Sequence, residues 1–151
     1  MIISELCQRD VVTVRSSDEL FGAAELMREK HVGYLVVVET EKSEQDFRPI
    51  GVLTDRDIVV AVVARGVDPR SLKVGDVMTR QPVTVAESDP LDRVLLEMRR
   101  VGVRRVPVVG HRGQLVGILS LDDVIDALSS ELQNIASSIR NEQRIEGSLR
   151  P

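Results

Sequence analysis

The 151-residue sequence contains no tryptophan, one tyrosine, two phenylalanines, one cysteine and two histidines. Each scarcity excludes a class of chemistry. With so few rings there is no stacking platform for single-stranded nucleic acid, and no cage of aromatics can clamp a planar ligand. The lone Cys7 rules out an intrachain disulfide, and with only His31 and His111 beside it no ligand set for structural zinc exists. The longest apolar run, Ile58 to Ala64, falls far short of the roughly 20 residues that cross a bilayer, so no membrane span is expected. An excess of basic charge is also lacking. The net charge of −4 disfavours a sequence-independent grip on nucleic acid, although Arg99, Arg100, Arg104 and Arg105 lie close together. The opening Met1-Ile2-Ile3-Ser4-Glu5-Leu6 has no basic region, long apolar core or small-residue cleavage site, so a cytoplasmic location is expected.

What is present is the balance of a globular protein, 42% hydrophobic and 29% charged, organised as an internal repeat. Residues 3–38 align with 74–109 at a constant offset of 71, and twelve of the 36 pairs are identical, among them Val12-Thr13-Val14 with Val83-Thr84-Val85 and Met27-Arg28 with Met98-Arg99. From residue 50 the offset is 66, matching Ile50-Gly51-Val52-Leu53-Thr54 to Val116-Gly117-Ile118-Leu119-Ser120 and Asp57 to Asp123. The five-residue change falls in the polar stretch Glu39 to Pro49, whose counterpart Gly110 to Gln114 is a short turn.

Each copy has the order helix, strand, strand, helix. In the first, Asp18 is expected to cap a helix whose Leu20, Ala23, Ala24 and Met27 recur at spacings of three and four; in the second, Asp89 caps, Pro90 takes the first helical position, and Leu91, Val94, Leu95 and Met98 form the buried face. The β-branched runs Tyr34–Val38 and Val106–Val109 predict buried strands, followed by strands at Ile50–Leu53 and Leu115–Leu119. A closing helix is expected over Asp55–Ala64, and another from near Leu121. The organisation is therefore α/β (α+β), with one repeat over 3–64, a linker at 65–73 marked by Gly66, Asp68-Pro69 and Ser71, a second repeat over 74–130, and a C-terminal helical extension and polar tail over 131–151. Leu132, Ile135 and Ile139 continue the apolar period of the last helix, as an arm that either meets a partner helix or packs back on its own chain. From Arg140 onward the polar composition predicts fraying.

Val77-Met78-Thr79, Val103-Arg104-Arg105-Val106-Pro107-Val108-Val109 and Val116-Gly117-Ile118-Leu119-Ser120, together with Pro49-Ile50-Gly51-Val52-Leu53-Thr54-Asp55-Arg56-Asp57-Ile58 in the first copy, resemble the cystathionine β-synthase (CBS) domain. The match covers residues 3 to about 130. The resemblance implies two β-α-β-β-α repeats packed sheet to sheet, a flat homodimer, and clefts for AMP, ADP, ATP or S-adenosylmethionine as regulatory ligand with no obligatory cofactor.

Gly51-x-x-Thr54-x-x-Asp57 and Gly117-x-x-Ser120-x-x-Asp123 set a hydroxyl where strand gives way to helix and a carboxylate three residues on. Backbone N–H groups there favour phosphate, and the carboxylate can accept from both ribose hydroxyls. The same spacing also fits a capping box that needs no ligand. Arg56 is a phosphate candidate; its counterpart is Asp122, for which Arg104 and Arg105 compensate at positions held by Gly33 and Tyr34 in the first copy. Thr79 is the position at which the resemblance implies contact with base or ribose, and its counterpart is Gln8. Adenine is expected between aliphatic side chains drawn from Val12, Leu35, Val83 and Val106, with Pro107 beside them. One cleft is expected to dominate, with Asp57 and Asp123 equally eligible as ribose acceptors.

Two other functions compete. Ile50 to Leu53 followed by Asp55-x-Asp57 resembles the strand and nucleophilic aspartate of haloacid dehalogenase-like phosphatases, but Asp55 corresponds to Leu121, and Cys7 and His31 have no assigned catalytic partners, so no enzyme is expected. A ligand-independent dimerisation module with vestigial clefts is the alternative to a sensor that modulates an unknown effector protein.

Overall fold

The computed structural model describes residues 1–40 and 46–150. A short helix α1 (Ile3–Leu6) precedes strand β1 (Thr13–Val14), helix α2 (Leu20–Lys30), strands β2 (Tyr34–Thr40) and β3 (Phe47–Thr54), and helix α3 (Asp55–Ile58). The second copy repeats the order as α4 (Val74–Val77), β4 (Thr79–Arg80), β5 (Val85–Ala86), α5 (Leu91–Val101), β6 (Arg105–Val109), β7 (Leu115–Ser120) and α6 (Leu121–Leu149). Both strands of the first hairpin run into the polar stretch where the offset changes; residues 41–45 of that stretch lie outside those described. The closing helix expected over Asp55–Ala64 is α-helical only to Ile58 and widens into a π-helical turn over Val59–Val63, where the Ala64 N–H reaches the Val59 carbonyl. Four valines in five residues lose side-chain freedom in a regular α-helix, which weakens the case for the tighter winding.

The sheets have the orders β1-β2-β3-β4 and β5-β6-β7, with β1–β2 and β5–β6 parallel and the other pairs antiparallel. Strand β4 belongs to the second copy yet completes the first copy's sheet, pairing Thr79 with Val52 and Arg80 with Gly51. Reciprocally, Gln8 of the first copy bridges Ile118 of β7, with N–H···O distances of 2.8 and 2.9 Å. The cores follow the same exchange. Leu20, Met27, Leu35, Val37 and Leu53 pack with Val74 and Met78, whereas Ile3 packs with Leu91, Val94, Met98, Val106, Val108 and Leu119.

The exchanged segments also occupy the entrances of the long helices. Leu20 N–H donates to the Leu72 carbonyl, Val74 to Asp18 and Gly75 to Ser16; at the offset of 71, Leu91 donates to Met1, Ile3 to Asp89 and Ser4 to Glu87. This displaces the expected caps. Helices α2 and α5 begin after Glu19 and Pro90, with no side-chain cap, and the Asp18 and Asp89 carboxylates instead close the preceding turns by accepting from the Arg15 and Ala86 N–H groups. Both helices end in a left-handed residue, Gly102 at φ 73° and His31 at φ 55°. Glycine adopts that conformation without penalty; histidine does so at a cost.

The linker forms a 3₁₀ turn over Pro69–Ser71, with Asp68 accepting from the Arg70 N–H and the Arg70 guanidinium 4.1 Å above the Phe21 ring. Helix α6 continues unbroken to Leu149, which corrects the fraying expected from Arg140. Arg140, Glu142, Gln143, Arg144 and Glu146 are good helix formers, and Arg144 donates to the Asn141 side chain one turn back at 3.0 Å.

Candidate functional site

Exchange of the edge segments leaves a cleft at each junction between the copies. The first has a volume of about 400 Å³ and is lined by Thr54 and Asp57 from the first copy with Thr79, Gln81, Pro82, Val83, Val103, Arg104, Arg105 and Val106 from the second. The other, of about 390 Å³, is lined by Ser120 and Asp123 from the second copy with Gln8, Asp10, Val11, Val12, Val32, Gly33 and Tyr34 from the first. The walls correspond position by position at offsets 71 and 66: Thr79 with Gln8, Gln81 with Asp10, Val83 with Val12, Arg104 with Gly33, and Asp57 with Asp123. Tyr34 and Arg105, themselves counterparts, line both clefts. Each lies directly across the strand pair from a hydroxyl residue, Tyr34 from Thr54 and Arg105 from Ser120. Burial pushes the Tyr34 hydroxyl above its ordinary range, against the opposing pull of the Arg105 charge, so it stays a neutral donor.

The capping box is present in both copies. Thr54 Oγ1 accepts from the Asp57 N–H at 3.1 Å while Asp57 Oδ2 accepts from the Thr54 N–H at 2.9 Å; Ser120 Oγ accepts from the Asp123 N–H at 3.1 Å. The boxes hold each carboxylate still but leave them differently engaged. Asp123 Oδ2 accepts from the Ser120 hydroxyl at 2.6 Å, and its Oδ1 accepts from Gln8 Nε2 at 3.0 Å. Among the described residues, Asp57 Oδ1 has no hydrogen-bond partner, because the position of Gln8 is taken by Thr79. A ligand with vicinal hydroxyls therefore meets a free acceptor in the first cleft and an occupied one in the second.

Charge separates the clefts as well. Arg104 and Arg105 line the first, and Asp122 at the start of α6 lies 3.4 and 4.0 Å from their guanidinium nitrogens. These are exposed pairs of small energy, so the arginines remain available to an anion. The second cleft has Arg105 and His31 but also Asp10.

Several sequence-predicted positions lie elsewhere. Arg56 is exposed and lines neither cleft, its backbone N–H held by the Asp55 carboxylate at 2.8 Å. Leu35 is fully buried in the first core, and Pro107 is buried in β6 outside both clefts. Arg104 does not compensate in its own copy's cleft but faces Thr54 and Asp57. Val83 and Val106 line the first cleft and Val12 lines the second, so the three do not share one site as expected. Gln81, Pro82 and Val103 also line the first cleft, beyond the sequence expectation. Shifting the cleft walls by the repeat offset finds them only once it is known that each copy's opening segment crosses to the other copy.

A residue-for-residue pair of clefts, built where two duplicated α/β units exchange their opening segments, defines a tandem-repeat module. The CBS-domain family model matches residues 3–64 and 74–130, and the chain belongs to that family. An uncharacterized protein of Methanopyrus kandleri is 34% identical over 123 residues, covering 82% of this chain and 60% of the relative, so the chain spans well under the relative's full length. An uncharacterized protein of Bacillus subtilis is 34% identical over 136 residues, covering 90% of this chain and 86% of its own. The solved structure of a CBS domain protein from Pyrobaculum aerophilum complexed with AMP superposes with a TM-score of 0.70 at 32% identity, covering 82% of this chain and 89% of that one. Among the described residues no helix is long and apolar enough to cross a membrane, and no cluster of three or more His, Cys, Asp or Glu side chains is placed to hold a metal ion.

Proposed function

We propose that the chain is a cytoplasmic, non-catalytic regulatory module, with residues 3–64 and 74–130 as its repeats, that binds an adenosine-type ligand and passes the signal to a separate effector protein. The observation that carries this reading is the free Asp57 Oδ1 in the first cleft, beside the hydroxyls of Thr54 and Thr79 and below two arginines. Val83, Val103 and Val106 supply an aliphatic slot for a base, the carboxylate an acceptor for ribose hydroxyls, and Arg104 and Arg105 a basic rim for a phosphate. That rim favours AMP, ADP or ATP over the cationic sulfonium of S-adenosylmethionine. The AMP complex of the Pyrobaculum aerophilum protein supports the ligand class. Ligand would shift the module by its differential affinity for two arrangements of the repeats.

The engagement of Asp123 by Gln8 favours a second reading for the other cleft alone, as a vestigial site that serves packing. Thermal unfolding with AMP, ADP, ATP or S-adenosylmethionine separates the readings. A nucleotide at 100 times its dissociation constant should stabilise the native protein by about 2.7 kcal/mol. Asp57→Ala should abolish that shift and Asp123→Ala should leave it intact. If no ligand at millimolar concentration moves the transition, the whole chain is a ligand-independent interaction module. Gln8→Thr, which frees Asp123 Oδ1 and copies the first cleft, should raise the calorimetric stoichiometry from one toward two; an unchanged stoichiometry would mean that Gln8 is not what closes the second cleft.

A further inference from the structure

Among the described residues, only Tyr34 and Arg105 line both clefts. They are counterparts at the offset of 71, so each stands close to the axis that exchanges the copies, where one side chain faces two sites. One of the two positions holds a phenol and the other a cation, which leaves a single guanidinium between two clefts. Arg105 is half exposed, and its ion pair among the described residues is the loose one with Asp122 at 4.0 Å, an acid that lies closer to Arg104 at 3.4 Å. A pair this long and exposed does not commit the guanidinium to either side.

The clefts need that charge unequally. The first also has Arg104, and Asp57 is its only carboxylate. The second has Gly33 in place of Arg104, carries Asp10 and Asp123 on its walls, and has the Asp55 carboxylate above Gly33, 2.6 Å from where a Cβ would stand. Besides His31, Arg105 is its one basic side chain. We infer that Arg105 serves one cleft at a time, so that a phosphate-bearing ligand in the first withdraws the guanidinium and weakens phosphate binding in the second. The inference rests on the adenosine-type ligand proposed above. By linkage the effect is reciprocal, and it is confined to phosphate, because an uncharged nucleoside makes no demand on the guanidinium. Gln8 acts on the second cleft separately, through the ribose acceptor Asp123.

The test is isothermal titration calorimetry of the full chain with adenosine and with AMP. Gln8→Thr opens the second cleft, and Gln8→Thr/Asp57→Ala leaves it to bind alone. Adenosine should bind the second cleft equally well in both variants. AMP should bind it about tenfold more weakly in Gln8→Thr, where the first cleft fills beforehand, than in the double variant. Arg105→Gln added to both should bring that ratio to one, without a change in melting temperature, since the side chain is half exposed and loosely paired. No heat from either ligand in the native chain would overturn the ligand reading and this inference together. With AMP bound in the first cleft, three results would overturn the inference alone: an AMP ratio of one with Arg105 in place, a ratio that persists in Arg105→Gln as direct repulsion between phosphates, or a second cleft that stays closed to adenosine in Gln8→Thr.

Discussion

Leu53→Ala and Leu119→Ala should each lower the unfolding free energy by about 2–5 kcal/mol, and each variant should still unfold in one transition. The two leucines are counterparts at the offset of 66, on β3 and β7, and both are fully buried in different cores. Removing either side chain leaves a cavity lined by atoms fixed from both copies, since the first core is closed by Val74 and Met78 and the second by Ile3. A local defect in one core therefore loosens the segment that the other copy depends on. Urea unfolding followed by circular dichroism should show a lower midpoint with an unchanged slope. Two separated transitions in either variant would mean that the cores are energetically independent.

Gly117→Val should be destabilising, because Gly117 is buried in β7 against the segment that crosses from the first copy. A Cβ at Gly117 would stand 2.7 Å from the Gln8 carbonyl oxygen and 2.9 Å from Cys7 Sγ, and at Gly51 2.9 Å from the Thr79 carbonyl oxygen. Backbone atoms on the far side of a strand pairing cannot swing away as a side-chain tip can. Overpacking of this kind costs about 1–3 kcal/mol, and here it also threatens the pairing of Gln8 with Ile118. Hydrogen exchange at the Gln8 and Ile118 amides should accelerate more than at Leu35 or Val37. Gly22→Ala is the control, because nothing stands within 4 Å of its added Cβ and an alanine in a helix gains about 1 kcal/mol over glycine. Equal stability of the Gly117→Val and native proteins would contradict the tight edge contact.

The duplication and the four main strands were legible because each rests on a period carried by side chains: the recurrence of Leu20, Ala23 and Met27, and the β-branched runs before and after each hairpin. The exchange of opening segments was not, because backbone hydrogen bonds such as Ser4 N–H to the Glu87 carbonyl leave no mark on residue type. Proximity in sequence points Arg104 to the cleft of its own copy, whereas the crossing places it beside Thr54. An aspartate before an apolar helix and an aspartate closing a turn look alike in sequence, so Asp18 and Asp89 read as caps, whereas the crossing chain satisfies the helix entrances. Leu35 shows the cost of reading a buried strand as a wall, since its neighbour Tyr34 reaches the clefts and it does not. The difference between Asp57 and Asp123 had a visible origin in the pairing of Thr79 with Gln8, but its consequence required knowing that Gln8 lies within reach of the Asp123 carboxylate.

One repeat synthesised by itself would lack both its edge pairing and part of its core: the first would lose Val74, Met78 and the β4 edge, the second Ile3 and Gln8. Such a fragment could complete itself only by meeting another molecule, at a rate and extent set by its concentration. The nine residues from Arg65 to Lys73 remove that dependence. Joined by a short tether, each half meets its complement at a local concentration of the order of millimolar whatever the abundance of the protein in the cell. The duplicated chain is in this sense an association made permanent, and it leaves the two halves free to diverge, as the arginine on one side and the glutamine on the other already have.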